Sequence, residues 1–171
     1  LELRLLVARP EQPGEGRLEG ASLTADPGRR LGVHSHPGGA EDCQLSVSEF
    51  LRVTLSTGLT LNVALAGDSA KPAVILLHGF PESHRTWREV APRLEGDFYL
   101  IMPDQRGFAG SDRPQEVEAY ATDLLVDDIF ALADELRLER FALVGHDWGG
   151  AISWTAALRD YDRLTRLAII N

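Results

Sequence analysis

A single cysteine, Cys43, stands among the 171 residues, so no disulfide can close within the chain. That suits a reducing compartment, and a cytoplasmic location is the expectation. Long apolar runs are missing as well. The opening LRLLVA falls short of a spanning helix or the core of a secretory signal, and Arg29-Arg30 lacks the apolar stretch that an export signal needs after it. No membrane partner is expected. Positive charge is scarce, with 17 Lys and Arg against 26 Asp and Glu and a formal net charge of −9. Both signs are mixed along the chain, leaving no basic patch for nucleic acid. Internal repeats are absent too. What is present is 44% hydrophobic content, enough for one globular domain with a real core.

Composition changes near residue 44. The preceding segment holds 7 of the 16 Gly and 4 of the 9 Pro and shows no sustained period of 2 or 3.6, which predicts a disordered extension over 1–44 and a domain over 45–171. Its His34-Ser35-His36 could supply two metal ligands, but a site needs further ligands on a rigid scaffold, and a solvated loop is expected instead.

From Ser48 the pattern sharpens. SEFLRVTLSTGLTLNVALAG reads as two strands around a turn at Thr57-Gly58. AVILLHG is a continuous apolar run of the kind buried on both faces of a sheet, and FYLIMPD is a second. Between them, Ser83 can cap a helix with Trp87, Val90, Ala91 and Leu94 on one stripe, kinked or ended by Pro92. A further helix is expected from about Thr122, with Leu125, Ile129, Leu132 and Leu136 inward and Asp123, Asp127 and Asp134 solvated. FALVGH, GGAISWTAALRD and RLAIIN then give strand, helix and strand. Strands alternating with helices imply a mostly parallel sheet flanked by helices, an α/β architecture.

Three stretches in this order, HGFPESHRTWREVAPRL, PDQRGFAGSDRP and LVGHDWGGAISW, resemble the α/β-hydrolase fold, specifically the epoxide hydrolases and the related haloalkane dehalogenases. The resemblance covers roughly residues 48 to 171. It implies that Asp147 is a nucleophile on a strand-to-helix elbow. Gly145 and Gly149 flank it where a side chain would crowd the turn, and the helix N-terminus favours its negative charge. An aspartate, with an ordinary pKa of about 3.9, is ionised at neutral pH and needs no base before it attacks. It can displace a leaving group at saturated carbon, giving an alkyl ester that water must then hydrolyse. The resemblance assigns the oxyanion hole for that second step to the backbone N–H groups of Phe80 and Trp148. The bland alternative is a helix N-cap aspartate.

His78, with Gly79, braces the oxyanion loop in this reading, and Asp104 and Arg106 support the site. His146 precedes the nucleophile at a strand end and should face away from it. Trp87 and Trp154 are expected in the core. The resemblance implies no cofactor and no metal, and a small apolar epoxide or related electrophile as substrate. A dehalogenase-like C–halogen hydrolase is the alternative. Haloalkane dehalogenases, however, hold the halide with a polar residue where this chain has Phe80, and fluoroacetate dehalogenases carry arginines where it has Trp148 and Ala151. Epoxide hydrolases also use two lid tyrosines, an acid and a base histidine from beyond the matching region, so Tyr120 and Tyr161 receive no role. The expectation is an N-terminal half, truncated after about the sixth strand, whose machinery needs a missing C-terminal half as partner; a non-catalytic fragment is the other reading.

Overall fold

The computed structural model describes residues 49–171, and the extension expected over 1–44, with His34, His36 and Cys43, lies outside the described residues. Six strands form one sheet: β1 (Glu49–Thr54), β2 (Thr60–Ala66), β3 (Ala73–Leu77), β4 (Tyr99–Pro103), β5 (Phe141–His146) and β6 (Leu164–Ile170). Their order across the sheet is β1-β2-β4-β3-β5-β6. The β1–β2 hairpin sets Thr54 opposite Thr60 around the expected turn, and β2 runs antiparallel to β4. The remaining pairs, β4–β3, β3–β5 and β5–β6, are parallel.

Alternation along the central strands splits the core into two layers. Ile75, Leu77, Ile101 and Leu143 meet α2 (Thr122–Glu135) and α3 (Trp148–Arg159) through Val126, Ile129, Leu132, Ile152 and Ala156. On the opposite face Val74, Leu76, Leu100 and Met102 pack against Trp87 and Ala91. The chain leaves β3 toward one face and β5 toward the other, although the two strands are neighbours. That is a topological switch point, where open α/β sheets leave a crevice beyond the strands' carboxyl ends. The HGFP loop and the Asp147 turn flank it.

The break expected at Pro92 is present, but the part before it is a 3-10 segment, His84–Glu89, capped by the Ser83 hydroxyl, which gives way to the single turn α1 (Ala91–Leu94). Pro92 lacks the N–H that a continuous helix would need, and the break turns Val90 outward to 37% exposure. Trp154 corrects an expectation outright: it is not a core residue. It is 49% exposed, on an outer face of α3 that continues through Leu158 and on to Tyr161 beyond the helix.

Among the described residues β6 has a neighbour on one edge only. An unpaired strand edge beside exposed Trp154, Leu158 and Tyr161 is a route to association. The isolated 171-residue chain should therefore bind a hydrophobic dye and form oligomers whose size rises with concentration. A monomer with no dye binding would contradict this.

Candidate active site

Gly145 and Gly149 let the chain turn from β5 into α3 within a space that no side chain could share. A Cβ at Gly145 would come within 2.2 Å of the Gly149 carbonyl oxygen, and one at Gly149 within 2.4 Å of the Leu77 carbonyl oxygen. The tightness falls on Asp147, which is left with φ 51° and ψ −118°. A non-glycine residue in that region stores of order 1–3 kcal/mol of strain, which persists only where the surroundings enforce it. The turn drives its carboxylate out above the sheet, into solvent and toward the HGFP loop.

The Phe80 N–H donates to Asp147 Oδ1 at 2.9 Å. That hydrogen bond first, and the one from the Trp148 N–H second, hold the Asp147 carboxyl below the ordinary carboxylate range. Asp147 stands at the N-cap position of α3, but beyond Trp148 its side chain makes no capping bond into the helix. Gly79 has its own steric reason: a Cβ there would lie 2.6 Å from Asp147 Cβ and 2.8 Å from Oδ1. Both expected donors and Asp147 thus stand together, with the Phe80 and Trp148 side chains 64% and 57% exposed beside them.

His78 is fully buried, and its ring nitrogens are both engaged. Nε2 accepts from the Gln105 N–H at 3.1 Å, so the proton sits on Nδ1 and is donated to the Gly79 carbonyl at 2.8 Å. Burial lowers its pKa, keeping the ring neutral. Gln105 Nε2 donates to the His78 carbonyl at 2.6 Å, so the two loops clasp each other at that point. Asp104 is the second anchor. It accepts from the His84 N–H and Nδ1, from Asn62 Nδ2 and from the Gly110 N–H. Burial raises its pKa, but these donors outweigh that and bring it down to about 2. Arg106 reaches away from the crevice, its Nε and Nη2 gripping both carboxylate oxygens of buried Asp128 at 2.6 and 2.7 Å.

His146 is paired with Glu82, its Nδ1 meeting Oε2 at 3.1 Å, and its charge interaction adds a smaller lowering of the Asp147 carboxyl. The same Glu82 oxygen accepts the Gly79 N–H at 3.1 Å. Burial pushes the Glu82 carboxyl up, but the Gly79 N–H, Thr86 and His146 bring it below its ordinary value. Sequence reasoning missed this link, and it missed Asp128 and Gln105. The one available signal was that Glu82 and Gln105 lie inside the two matched loops. Tyr120 donates to the Pro114 carbonyl at 2.9 Å, and Tyr161 lies at the far end of α3, so neither enters the site.

These shifts fix a pH dependence. A group whose folded pKa is depressed lends stability above its unfolded value and loses it as pH falls toward the folded one. For His78 the loss begins near 6.5; for Asp104 it runs from 3.8 down to about 2 and amounts to roughly 2 kcal/mol. Urea unfolding between pH 8 and 3 should show stability falling with acid in two stages, the first one smaller in His78→Gln. Stability unchanged from pH 7 to pH 5 would contradict the buried neutral imidazole.

A sequence profile of the α/β hydrolase fold matches residues 72–171. The chain belongs to that family. Within it, the similar proteins include an epoxide hydrolase A of Mycobacterium tuberculosis, 40% identical over 121 residues that make up 70% of this chain and 38% of the relative. The AB hydrolase superfamily protein YfhM of Bacillus subtilis is also 40% identical, over 68% of this chain and 41% of its own. Among solved structures, an epoxide hydrolase from hot-environment metagenomes superposes with a TM-score of 0.70 at 51% identity, covering 72% of this chain and 42% of that one. The epoxide hydrolase A of Mycobacterium thermoresistibile gives 0.67 at 38% identity, over 70% and 37%. The chain therefore spans about two-fifths of the length of these family members. Among the described residues no helix is long and apolar enough to cross a membrane.

Proposed function

We propose that the chain carries the nucleophilic half of an epoxide hydrolase, opening an epoxide through an ester on Asp147. One observation carries the reading: the Phe80 N–H fixes Oδ1 of a carboxylate that the elbow has already pushed out of the sheet. With Oδ1 held, Oδ2 is the oxygen left to attack. It bonds to an epoxide carbon, the ring C–O bond breaks with its electron pair going to oxygen, and that oxygen takes up a proton. The product is a 2-hydroxyalkyl ester whose carbonyl oxygen is Oδ1.

Water then adds to the carboxyl carbon, and Oδ1 takes up the negative charge. The donors that orient the resting carboxylate are thus already aimed where charge develops in hydrolysis, which is the requirement for electrostatic preorganisation. Collapse of that adduct breaks the acyl C–O bond, releases a diol carrying the former Oδ2, and leaves a new oxygen on Asp147. The names of the similar epoxide hydrolases support this substrate class. Exposed Phe80 and Trp148 supply an apolar wall for its hydrocarbon part.

The hydrolytic water needs a base, worth typically about 10²–10⁴-fold when positioned. His78 has both nitrogens engaged, and Nδ1 of His84 and of His146 are turned to Asp104 and Glu82. None of the three is assigned that role. The 171-residue chain alone should accordingly take up no more than one equivalent of epoxide, without sustained diol release. Intact-mass spectrometry with styrene oxide tests this, with Asp147→Ala as control. An equal mass gain in Asp147→Ala would count against the nucleophile, and continuing diol production would place a base among the residues present.

A further inference from the structure

The loop after β4 approaches the oxyanion loop with one side chain that the clasp through Gln105 does not explain. Phe108, half-buried, points its ring at two residues of that loop at once. It meets the His78 ring edge-on at 5.0 Å and 79°, and the Phe80 ring edge-on at 6.1 Å and 77°. These residues sit on either side of Gly79, where the chain must pass under Asp147 without a side chain. The Gly79 carbonyl shares a peptide plane with the Phe80 N–H and accepts from His78 Nδ1 and from the Glu82 N–H, so the direction of that amide depends on what holds the His78 ring on one flank and Phe80 on the other.

The backbone around Phe108 is built to keep the ring in place. Ala109 has φ 38°, an uncommon conformation for a residue with a side chain, and Gly107 has φ 87°. The Phe108 N–H donates to the Gln105 carbonyl at 3.0 Å, and its carbonyl accepts the Ser111 N–H at 2.9 Å. Gly110 N–H is tied to Asp104, and Arg113 Nη2 donates to the Ala109 carbonyl at 2.5 Å. A ring serving only to fill space would not need a strained residue after it and hydrogen bonds on both sides.

We infer that Phe108 is a positioning residue: its ring, wedged between the His78 and Phe80 rings, holds the Phe80 amide on Asp147 Oδ1. Its effect on chemistry rests on the reading of Asp147 as nucleophile, but its effect on the amide does not. Removing the ring edges loosens the His78 ring that donates to the Gly79 carbonyl and leaves the Phe80 ring without that neighbour, which lengthens the N–H···O bond. Tyrosine keeps both edges and should keep the function.

The test is nuclear magnetic resonance on the 171-residue chain and its Phe108→Leu and Phe108→Tyr variants. The Phe80 amide is followed for hydrogen exchange and for its shift as Asp147 titrates. In Phe108→Leu, exchange at this amide should rise about tenfold, the worth of a lost edge-to-face pair. The Asp147 titration should move up toward the ordinary aspartate range, because its first donor is loosened. The rate of styrene oxide addition should fall by a similar factor. Phe108→Tyr should match the parent in all three. Amide exchange and titration unchanged in Phe108→Leu would overturn the inference, as would a Phe108→Tyr variant that behaves like leucine. Should Phe108→Leu fail to fold, Phe108→Met is read by the same criteria. If the amide responds and no variant or parent reacts with epoxide, the positioning role stands and the proposed reaction falls.

Discussion

Asp128→Ala should lower the stability of this domain by about 3–5 kcal/mol, the range for breaking a buried ion pair by removing one partner. Asp128 is 3% exposed and Arg106 5%, so the guanidinium would be left in the interior without its counter-charge. Arg106 Nη1 still donates to the Ala119 carbonyl at 2.5 Å and Nη2 to the Leu124 carbonyl at 3.2 Å, which holds it inside rather than letting it swing to water. The Thr57 hydroxyl also loses its acceptor, 2.9 Å away. Three separate segments, the hairpin turn, the loop after β4 and α2, lose their common fastening in one substitution. The expected fall in Tm is roughly 10–20 °C for a domain of this size. The double variant Arg106→Met with Asp128→Leu should recover much of it, because no uncompensated charge remains. Thermal unfolding followed by circular dichroism decides this, and a loss below about 1 kcal/mol in the single variant would show the pair to be incidental.

Gly79→Ala should reduce addition of epoxide to Asp147 by about a hundredfold, while the fold survives. The added methyl would stand 2.6 Å from Asp147 Cβ and 2.8 Å from Oδ1, well inside contact distance. Either the carboxylate or the loop must give, and each breaks the Phe80 N–H to Oδ1 bond. Misplacing a reacting group by about 1 Å costs roughly 10²-fold. Gly79 lies beyond the end of β3 and contributes nothing to the hydrophobic layers, so Tm should fall little. Pseudo-first-order rates by intact mass measure the effect. Unchanged rates in a folded Gly79→Ala would remove the oxyanion loop from the account.

How far these features could be read from sequence depended on whether the responsible interactions were local. AVILLHG, FYLIMPD and FALVGH give buried strands because an apolar run covered on both faces is a local pattern. The elbow was legible because glycine on both sides of a carboxylate records a steric demand in the sequence itself. The break at Pro92 was legible because a missing N–H is a local fact, whereas the 3-10 winding of His84–Glu89 was not, since so short a stripe fits either winding. Trp154 was misplaced because α3 is apolar on more than one face, and periodicity cannot choose between them. Asp128 was invisible among its neighbours: Asp123 and Asp127 are exposed ion-pair partners of Arg159, and only the fold turns the third carboxylate toward Arg106. Phe108 and the link from Glu82 to His146 are contacts between segments far apart in sequence, and one sequence carries no sign of them.

The central claim is that Asp147 itself becomes the ester. Peptide mapping by tandem mass spectrometry after incubation with styrene oxide, followed by hydroxylamine, addresses it most directly. The account predicts one epoxide on the peptide containing Asp147, lost to hydroxylamine with a hydroxamate left at that residue. An adduct confined to Cys43 or the histidines, stable to hydroxylamine and undiminished in Asp147→Ala, would contradict it.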